Sequence, residues 1–501
     1  MQIKVKQGRV DLTDDQAILL GCLEEDTGFA GMLETINDKL SGAIRHLFET
    51  GDFTAKSGQT AILYPQGKLK SKRIILAGLG KKDQITIEKI RRAYGFAGRK
   101  VKELKVESLS AQAFETNHPT IKLQSASQAM VEGILLSHYK LDRYKTDAEN
   151  QGIGLQKLTI LEQNSKKIVE IEKGVREGEV FSWATNFSRD LANQPSNYLT
   201  PERFAQSASQ IAKENSFKCK IFSKEQIKQL KMNAFLAVAS GSNQPPELIV
   251  LEYSPPQRRS NTLALVGKGI TFDAGGLSLK PTEDMLEMKA DMMGGAVVIS
   301  TIAACAKMKL PLHLIGIIPA AENLPSGSAL KVGDIITSHS GKTIEVLNTD
   351  AEGRLILADA LSYARSFKPD AIIDVATLTS AIKIALGTVC AGIFSHNDEL
   401  KIRMIRAGEK TGERVWEMPL WKEYQEFLKS DLADLKNVGG KWGAAIIAAT
   451  FLKSFVGDIP WIHVDIAGVD FKDKDDSYWP RGATGFGARL LLQFLKDWEG
   501  I

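Results

Sequence analysis

A repeated change of period limits the fold most. Continuous apolar runs (Leu248 to Tyr253, Leu263 to Phe272, Leu312 to Pro319, Ala371 to Val375, Trp461 to Ile466) alternate with helical patterns such as Met292, Ala296, Val297, Ile299, Ile302 and Ala303, then Leu355 to Ala364 and Ala444 to Phe455. A strand that is apolar at every residue is buried on both faces, and helices are what cover those faces. Residues 193–501 are therefore expected to form a mixed sheet between helices, with ligands gathered at the strand ends. Residues 1–165 repeat the alternation, with strand-like runs at Ala17 to Leu20, Ala61 to Tyr64, Ile74 to Leu79 and Leu158 to Leu161 and helical ones at Ile87 to Leu104 and Ser127 to Tyr139. The charged helical stretch from Lys166 to Leu191 stops at Asn193-Gln194-Pro195, which makes 166–192 a connecting helix. The expectation is an α/β chain of two domains, each a mixed sheet flanked by helices, with the chemistry in the second.

Composition narrows the class. A chain of 501 residues that is 43% hydrophobic and 25% charged can bury two cores, and its net charge of +4 does not compel a nucleic-acid role. Met1 to Lys6 alternates like a strand and lacks the apolar core of a signal peptide, and no apolar run of membrane length is evident. Cys22, Cys219, Cys305 and Cys390 are too widely spaced for a redox pair or a zinc knuckle. They are expected to be buried thiols of a reducing, cytoplasmic compartment.

Two charged clusters fall at the ends of these runs. In Asn348-Thr349-Asp350-Ala351-Glu352-Gly353-Arg354-Leu355, extended backbone points Asp350, Glu352 and Arg354 the same way, whereas a helix sets Asp350 and Glu352 roughly 200° apart. The apolar Ile344 to Leu347 upstream and Gly353 within favour a strand end running into a turn. The other cluster runs from Val266-Gly267-Lys268-Gly269 through Asp273, Gly275-Gly276 and Lys280-Pro281 to Met288-Lys289-Ala290-Asp291, with Asp291 near a helix start. Asp273, Asp291, Asp350 and Glu352 carry four negative charges, which two divalent cations would neutralise in a hydrolytic site. The histidines (His46, His118, His138, His313, His339, His396, His463) are scattered, with no His-Glu-x-x-His helix, which argues against a histidine-rich zinc site. Lys268 and Lys280 are odd neighbours for cations, and their roles stay open on chemistry alone. A two-metal phosphohydrolase fits the carboxylates but explains neither lysine.

Other motifs are weak. Gly78-Leu79-Gly80-Lys81 after a strand lacks the third glycine of a phosphate loop and reads as a turn, and Gly341-Lys342-Thr343 has Ile336 where a P-loop needs glycine. Basic runs at Lys68 to Arg73 and Arg91 to Lys105 permit DNA binding without specifying it, since such runs are more often solvated helix faces.

The segments 266–273, Leu279-Lys280-Pro281, 288–292 and 348–355 closely resemble the cytosolic leucyl aminopeptidases, the M17 metallopeptidase family. Further matching segments are Asn193 to Asn197, Asp374 to Thr379, Ala433 to Asn437, His463 to Gly468 and Gly482 to Gly485. The resemblance implies one tightly held metal on Lys268, Asp273, Asp291 and Glu352. A second, exchangeable one would lie on Asp273, Asp350 and Glu352, the metals being Mn or Zn with Mg a third candidate. Lys268 is then a neutral amine ligand, needing metal and desolvation to lower its pKa. Lys280 meets the scissile carbonyl oxygen, and Arg354 holds a bicarbonate that serves as general base. Met288, Thr377, Leu378 and Ala483 line a pocket for a leucine-like first side chain. Ser380 departs from the family's usual glycine and is expected to narrow the cleft. The implied activity is release of N-terminal residues from peptides with a free amine, by a cytoplasmic homohexamer without a membrane role. The alternative is a DNA-binding regulator with incidental peptidase activity.

Overall fold

The computed structural model of the chain describes residues 1–26, 30–114, 121–146, 154–255 and 261–500. The chain divides into two compact units, Met1–Ser182 with Asp473–Arg481, and Trp183–Lys472 with Gly482–Ile501. The long helix Ser165–Ala192 begins in the first unit and ends in the second.

In the first unit, β1 (Gln2–Gln7), β2 (Ala17–Cys22), β3 (Thr60–Leu63), β4 (Arg73–Gly78), β5 (Ser108–Gln112) and β6 (Lys157–Glu162) form one sheet in the order β1-β6-β5-β2-β4-β3. Every pair is parallel except β3 with β4. Alternate residues of β2 and β4 feed different cores, as the two-residue period requires. Ala17, Leu19, Ile75 and Ala77 pack with the helices Ile87–Glu103 and Leu123–Ser137. Ile18, Leu20, Ile74 and Leu76 pack with Gly31–Lys39 and Ala43–Thr50 on the other face.

The second unit contains β7 (Lys218–Phe222), β8 (Glu247–Tyr253), β9 (Thr262–Gly267), β10 (Gly269–Asp273), β11 (His313–Asn323), β12 (Ile335–Thr337), β13 (Thr343–Glu345), β14 (Ala371–Ala376), β15 (Ala391–Ser395), β16 (Val415–Glu417), β17 (Leu435–Lys436) and β18 (Trp461–Asp465). Its main sheet runs β16-β15-β18-β14-β9-β11-β8-β7, with β10 pairing β11 beyond the end of β9, while β12, β13 and β17 form a small separate sheet. The central strands β18, β14, β9 and β11 are parallel, so their C-terminal ends open on one edge. The helix Met293–Met308 packs on β9, β11 and β14, and Glu352–Ala364 packs with Ala264, Val266, Ile317 and Ile372. Both units are thus mixed sheets flanked by helices, the architecture expected from the alternating periods.

Four expectations need correction. The apolar run Leu263 to Phe272 is two strands broken at Lys268, which β9 and β10 flank. The segment after Asp350 is not extended, because the helix starts at Glu352, three residues before the apolar pattern suggests. One helical stretch, Thr282–Met308, does reach membrane length by composition, and 89% of its apolar window is buried in the protein as a core helix. Cys22 and Cys305 are buried, whereas Cys219 and Cys390 are only partly so, and all four are free thiols.

Candidate metal centre

The break between β9 and β10 is where the centre begins. Lys268 N donates to Val375 O of β14, and Lys268 O accepts from Gly295 N at the start of the Met293–Met308 helix. That helix comes close enough only because its first turn carries glycine, since a Cβ on Gly294 would stand 2.1 Å from Val375 O. Asp291, two residues before the helix, is thereby brought beside Lys268, with Asp291 Oδ1 2.8 Å from Lys268 Nζ. Glu352 Oε1 lies 2.7 Å from the same nitrogen. The Glu352–Ala364 helix makes room for the lysine at Gly353, where a Cβ would meet Lys268 Cε at 2.7 Å. Asp350 stands in the turn ahead of that helix and Glu352 in its first turn, so their convergence comes from the turn-to-helix transition rather than from strand alternation.

Asp273 ends β10, and its Oδ1 accepts from Gly275 N at 2.9 Å and Asn323 Nδ2 at 2.8 Å. Asn323, at the end of β11, also donates to Thr349 O at 3.1 Å, tying the two acidic loops together. Lys280 Nζ sits 2.9 Å from Asp273 Oδ2 and 2.5 Å from Asp350 Oδ1. Ligand oxygens of Asp273, Asp350 and Glu352 all lie within 4.8 Å of one another. Lys268, Asp273, Asp291 and Glu352 are buried, and Asp350 and Lys280 are half-buried.

Electrostatically the cluster is short of positive charge. Burial pushes the Glu352 carboxyl up to about 7, with Asp273 adding to the rise. Burial likewise raises Asp291 and Asp350. For Lys268 burial acts downward, but the carboxylates of Asp291, Glu352 and Asp273 outweigh it and hold the ammonium protonated. Desolvation alone therefore does not make Lys268 neutral here. Four carboxylates face two lysines, and Asp291 Oδ2 is buried without a hydrogen-bond partner among the described residues. Glu352 Oε1 and Asp350 Oδ1 are within ion-pair distance of a lysine but outside hydrogen-bond angles. Buried anionic oxygens in excess, unsaturated and converging, fit divalent cations held by hard oxygen donors.

The remaining predicted residues fall into two groups. Thr377, just past β14, accepts from Lys268 Nζ on its carbonyl at 3.0 Å and donates from Oγ1 to Asp291 Oδ1 at 2.6 Å. Leu378 beside it is half-buried, and Met288 lies half-buried in the short turn Met288–Ala290 that leads into Asp291. Ala483 is buried, and its N–H donates to Asn193 Oδ1 at 2.9 Å. Arg354 does not join the acids through an ion pair among the described residues. Its Nη1 donates to Asn437 O at 2.8 Å, and burial lowers its guanidinium to about 10. Ser380 is exposed as the first residue of the helix Ser380–Leu386. Asn323 and Asn437 escaped the sequence reading as site residues. A polar residue closing an apolar strand is the only signal Asn323 gives.

Residues 186–492 match the cytosol aminopeptidase family, catalytic domain, and residues 19–148 match that family's N-terminal domain. A probable cytosol aminopeptidase of Geobacter sp. (strain M21) is 40% identical over 496 residues, covering 97% of this chain and 99% of the relative. One from Roseiflexus castenholzii is 41% identical, covering 99% of each. Among solved structures, a mutant of tomato leucine aminopeptidase superposes with a TM-score of 0.89 at 34% identity, covering 99% of this chain and 96% of that one. The bottromycin maturation enzyme BotP in complex with Mn gives 0.85 at 33% identity, covering 96% and 99%. The chain belongs to the M17 cytosol aminopeptidase family and is a metal-dependent aminopeptidase, a hydrolase of peptide bonds.

Proposed function

We propose that the enzyme uses two divalent cations to release leucine-like residues from peptides with a free N-terminal amine. The observation that carries this is the convergence of Lys268, Asp273, Asp291, Asp350 and Glu352, with negative charge in excess and oxygens unsaturated. Lys268, Asp273, Asp291 and Glu352 would hold the tighter cation, and Asp273, Asp350 and Glu352 the exchangeable one. When bound, these cations supply Lewis acidity and an activated water. Manganese or zinc is the favoured metal, and the manganese complex of BotP supports the former.

The chain's own groups divide the remaining work. Lys280, half-buried between Asp273 and Asp350, is kept cationic by those carboxylates against the opposing effect of burial, and its ammonium would meet charge developing on the scissile carbonyl oxygen. Arg354 would hold bicarbonate, a base for the proton released from water. Met288 and Leu378, both half-buried, would offer apolar surface to the first side chain, with Ala483 a buried residue of the pocket's support, and Thr377 ties the wall to Asp291. A cytoplasmic homohexamer completes the proposal, its assembly checked by mass in solution. The DNA-binding alternative is weakened by the commitments of the basic helix, where Arg91 pairs with Glu88 and Glu132, Arg92 with Asp476 and Arg99 with Asp475.

The test is chelation followed by readdition of manganese, zinc or magnesium, assayed on aminoacyl amides. Leucyl and methionyl amides should be cleaved best and N-acetyl-leucyl amide not at all. Activity that survives chelation, or cleavage of blocked amines, would overturn the reading.

A further inference from the structure

We propose that Asp465 is a positioning residue that fixes, through a single turn, both the deeper cation ligands and the wall of the side-chain pocket. The inference rests on the ligand assignment above. Asp465 ends β18 at the same sheet edge as Lys268 and Thr377, and it is 1% exposed. Its Oδ1 accepts from Leu378 N at 3.0 Å and Ala467 N at 3.2 Å. Its Oδ2 accepts from Thr379 Oγ1 at 2.7 Å. That hydroxyl in turn accepts from Ile382 N at 3.2 Å, which starts the helix Ser380–Leu386.

The other end of the turn is tied to the cation ligands. Thr377 accepts from Lys268 Nζ on its carbonyl oxygen, and its hydroxyl donates to Asp291 Oδ1. Leu378 lies between the two anchors, half-buried. A shift of this three-residue turn therefore moves the partners of Lys268 and Asp291 and the position of Leu378 together. Asp465 is the group that anchors the other end of the turn, through Leu378 N and the Thr379 hydroxyl.

A carboxylate is required rather than any polar group of that shape. Both oxygens act as acceptors, one for backbone N–H groups and one for the Thr379 hydroxyl. An amide offers one acceptor oxygen, and its NH2 would face a hydroxyl that already takes the Ile382 N–H and would lose its own acceptor. Groups that orient ligands from behind typically change metal affinity by about 10- to 100-fold when removed.

The test compares wild type, Asp465→Asn, Thr379→Val, Asp374→Asn and Glu352→Ala as metal-depleted full-length protein. Manganese is titrated in a metal buffer, and kcat and KM are measured on leucyl and alanyl amides. Asp465→Asn should lower manganese affinity about 10- to 100-fold and lower the leucyl-to-alanyl preference through KM. Thr379→Val should do the same to a smaller extent. Asp374 is equally buried in the adjacent strand, where it bonds to His463 Nδ1 and Trp461 Nε1 at 2.6 Å each. Asp374→Asn should thus lose thermal stability while keeping wild-type manganese affinity.

Wild-type affinity and an unchanged leucyl-to-alanyl ratio in Asp465→Asn would overturn the proposal. So would an equal loss of affinity in Asp374→Asn, which would mark general loosening of the sheet. Should Asp465→Asn fail to fold, Thr379→Val decides alone. A wild type that ignores leucyl amide refutes the substrate reading and leaves the manganese arm to decide Asp465. Manganese binding unaffected by Glu352→Ala refutes the ligand assignment and this inference with it.

Discussion

In the first unit, buried charge comes in matched sets. Arg91 is enclosed by Glu132 and Glu88, with Gln128 Nε2 donating to the second Glu132 oxygen at 2.7 Å. Asp11 is met by Arg9 and Lys39, and Asp15 by Lys157 and Ser110. In the second unit, four carboxylates share two lysines, and Asp291 Oδ2 finds no donor among the described residues. Burying a charge is costly unless it is paired and its lone pairs are satisfied. A saturated buried pair thus describes architecture, while an unsaturated convergence of like charge describes a site shaped for something the chain does not itself supply. The same residue types serve both purposes, and saturation tells them apart.

The most severe way to break this contrast is Glu352→Ala. Glu352 is assigned to both cations, so its loss should remove two-metal occupancy and nearly all turnover. Because the carboxyl is raised to about 7 by burial and by Asp273, removing it should not destabilise the fold in the absence of metal. Metal content per subunit, turnover and a thermal melt of the metal-depleted protein check the three parts. Two metals per subunit with near-normal rate would show that the acids are architecture after all.

Glu132→Ala is the counterpart in the first unit. Breaking a buried pair by removing one partner costs about 3–5 kcal/mol, and the lower end is expected because Glu88 still meets Arg91. The midpoint of urea unfolding should fall accordingly. Turnover per folded enzyme and metal content should stay at the wild-type level. A variant that kept its stability but lost metal would reverse the division between the units.

Lys280→Ala sharpens the comparison within the site. Losing a donor to the developing oxyanion costs on the order of 3 kcal/mol, roughly a hundred- to a thousand-fold in turnover. Removing an ammonium from beside Asp273 and Asp350 leaves the acids less neutralised, so cation affinity should hold or rise. Lys268→Ala should instead weaken metal binding along with rate. Metal titration of both variants separates them, and loss of metal by the Lys280 variant alone would exchange the two roles.

How far the sequence reveals this follows from which interactions are local. The alternation of apolar runs with helical periods was enough for the two mixed sheets, because burial on both faces leaves its mark residue by residue. Asp273, Asp291, Asp350 and Glu352 stand out as a charge set because they fall in two clusters at the ends of apolar runs and their four charges are those that two divalent cations neutralise. The break at Lys268 was invisible, since Leu263 to Phe272 reads as one run and the bend depends on Val375, Gly294 and Gly353 from distant segments. For the same reason the pattern around Glu352 reads as extended although a helix starts there, Gly353 being present to admit Lys268 rather than to make a turn. Residues 473–481 join the first unit through Asp475, Asp476 and Tyr478, pairings no local pattern announces.

The smallest effect tests whether the matched sets of the first unit behave as ordinary structural pairs. Asp15 lies beside Lys157 Nζ at 2.8 Å and accepts from Ser110 Oγ at 2.6 Å. Burial pushes its carboxyl upward, but Lys157 and Ser110 outweigh that, and the net shift is downward. A carboxyl whose folded value lies below its unfolded value, about 3.9, adds stability above that pH and loses it as pH falls through the folded value. Asp15→Asn should therefore cost about 1 kcal/mol at neutral pH, discounted because the Lys157 side chain is 37% exposed. The difference between variant and wild type should shrink as pH falls below about 4. Hydrogen exchange of the Ser108–Gln112 and Lys157–Glu162 strands at pH 7 and at acid pH reads this locally, where a melt of the whole chain averages it away. A pH-independent difference would mean that Asp15 acts through shape and hydrogen bonding alone, and charge matching would then cease to distinguish the first unit's buried acids from those at the cation site.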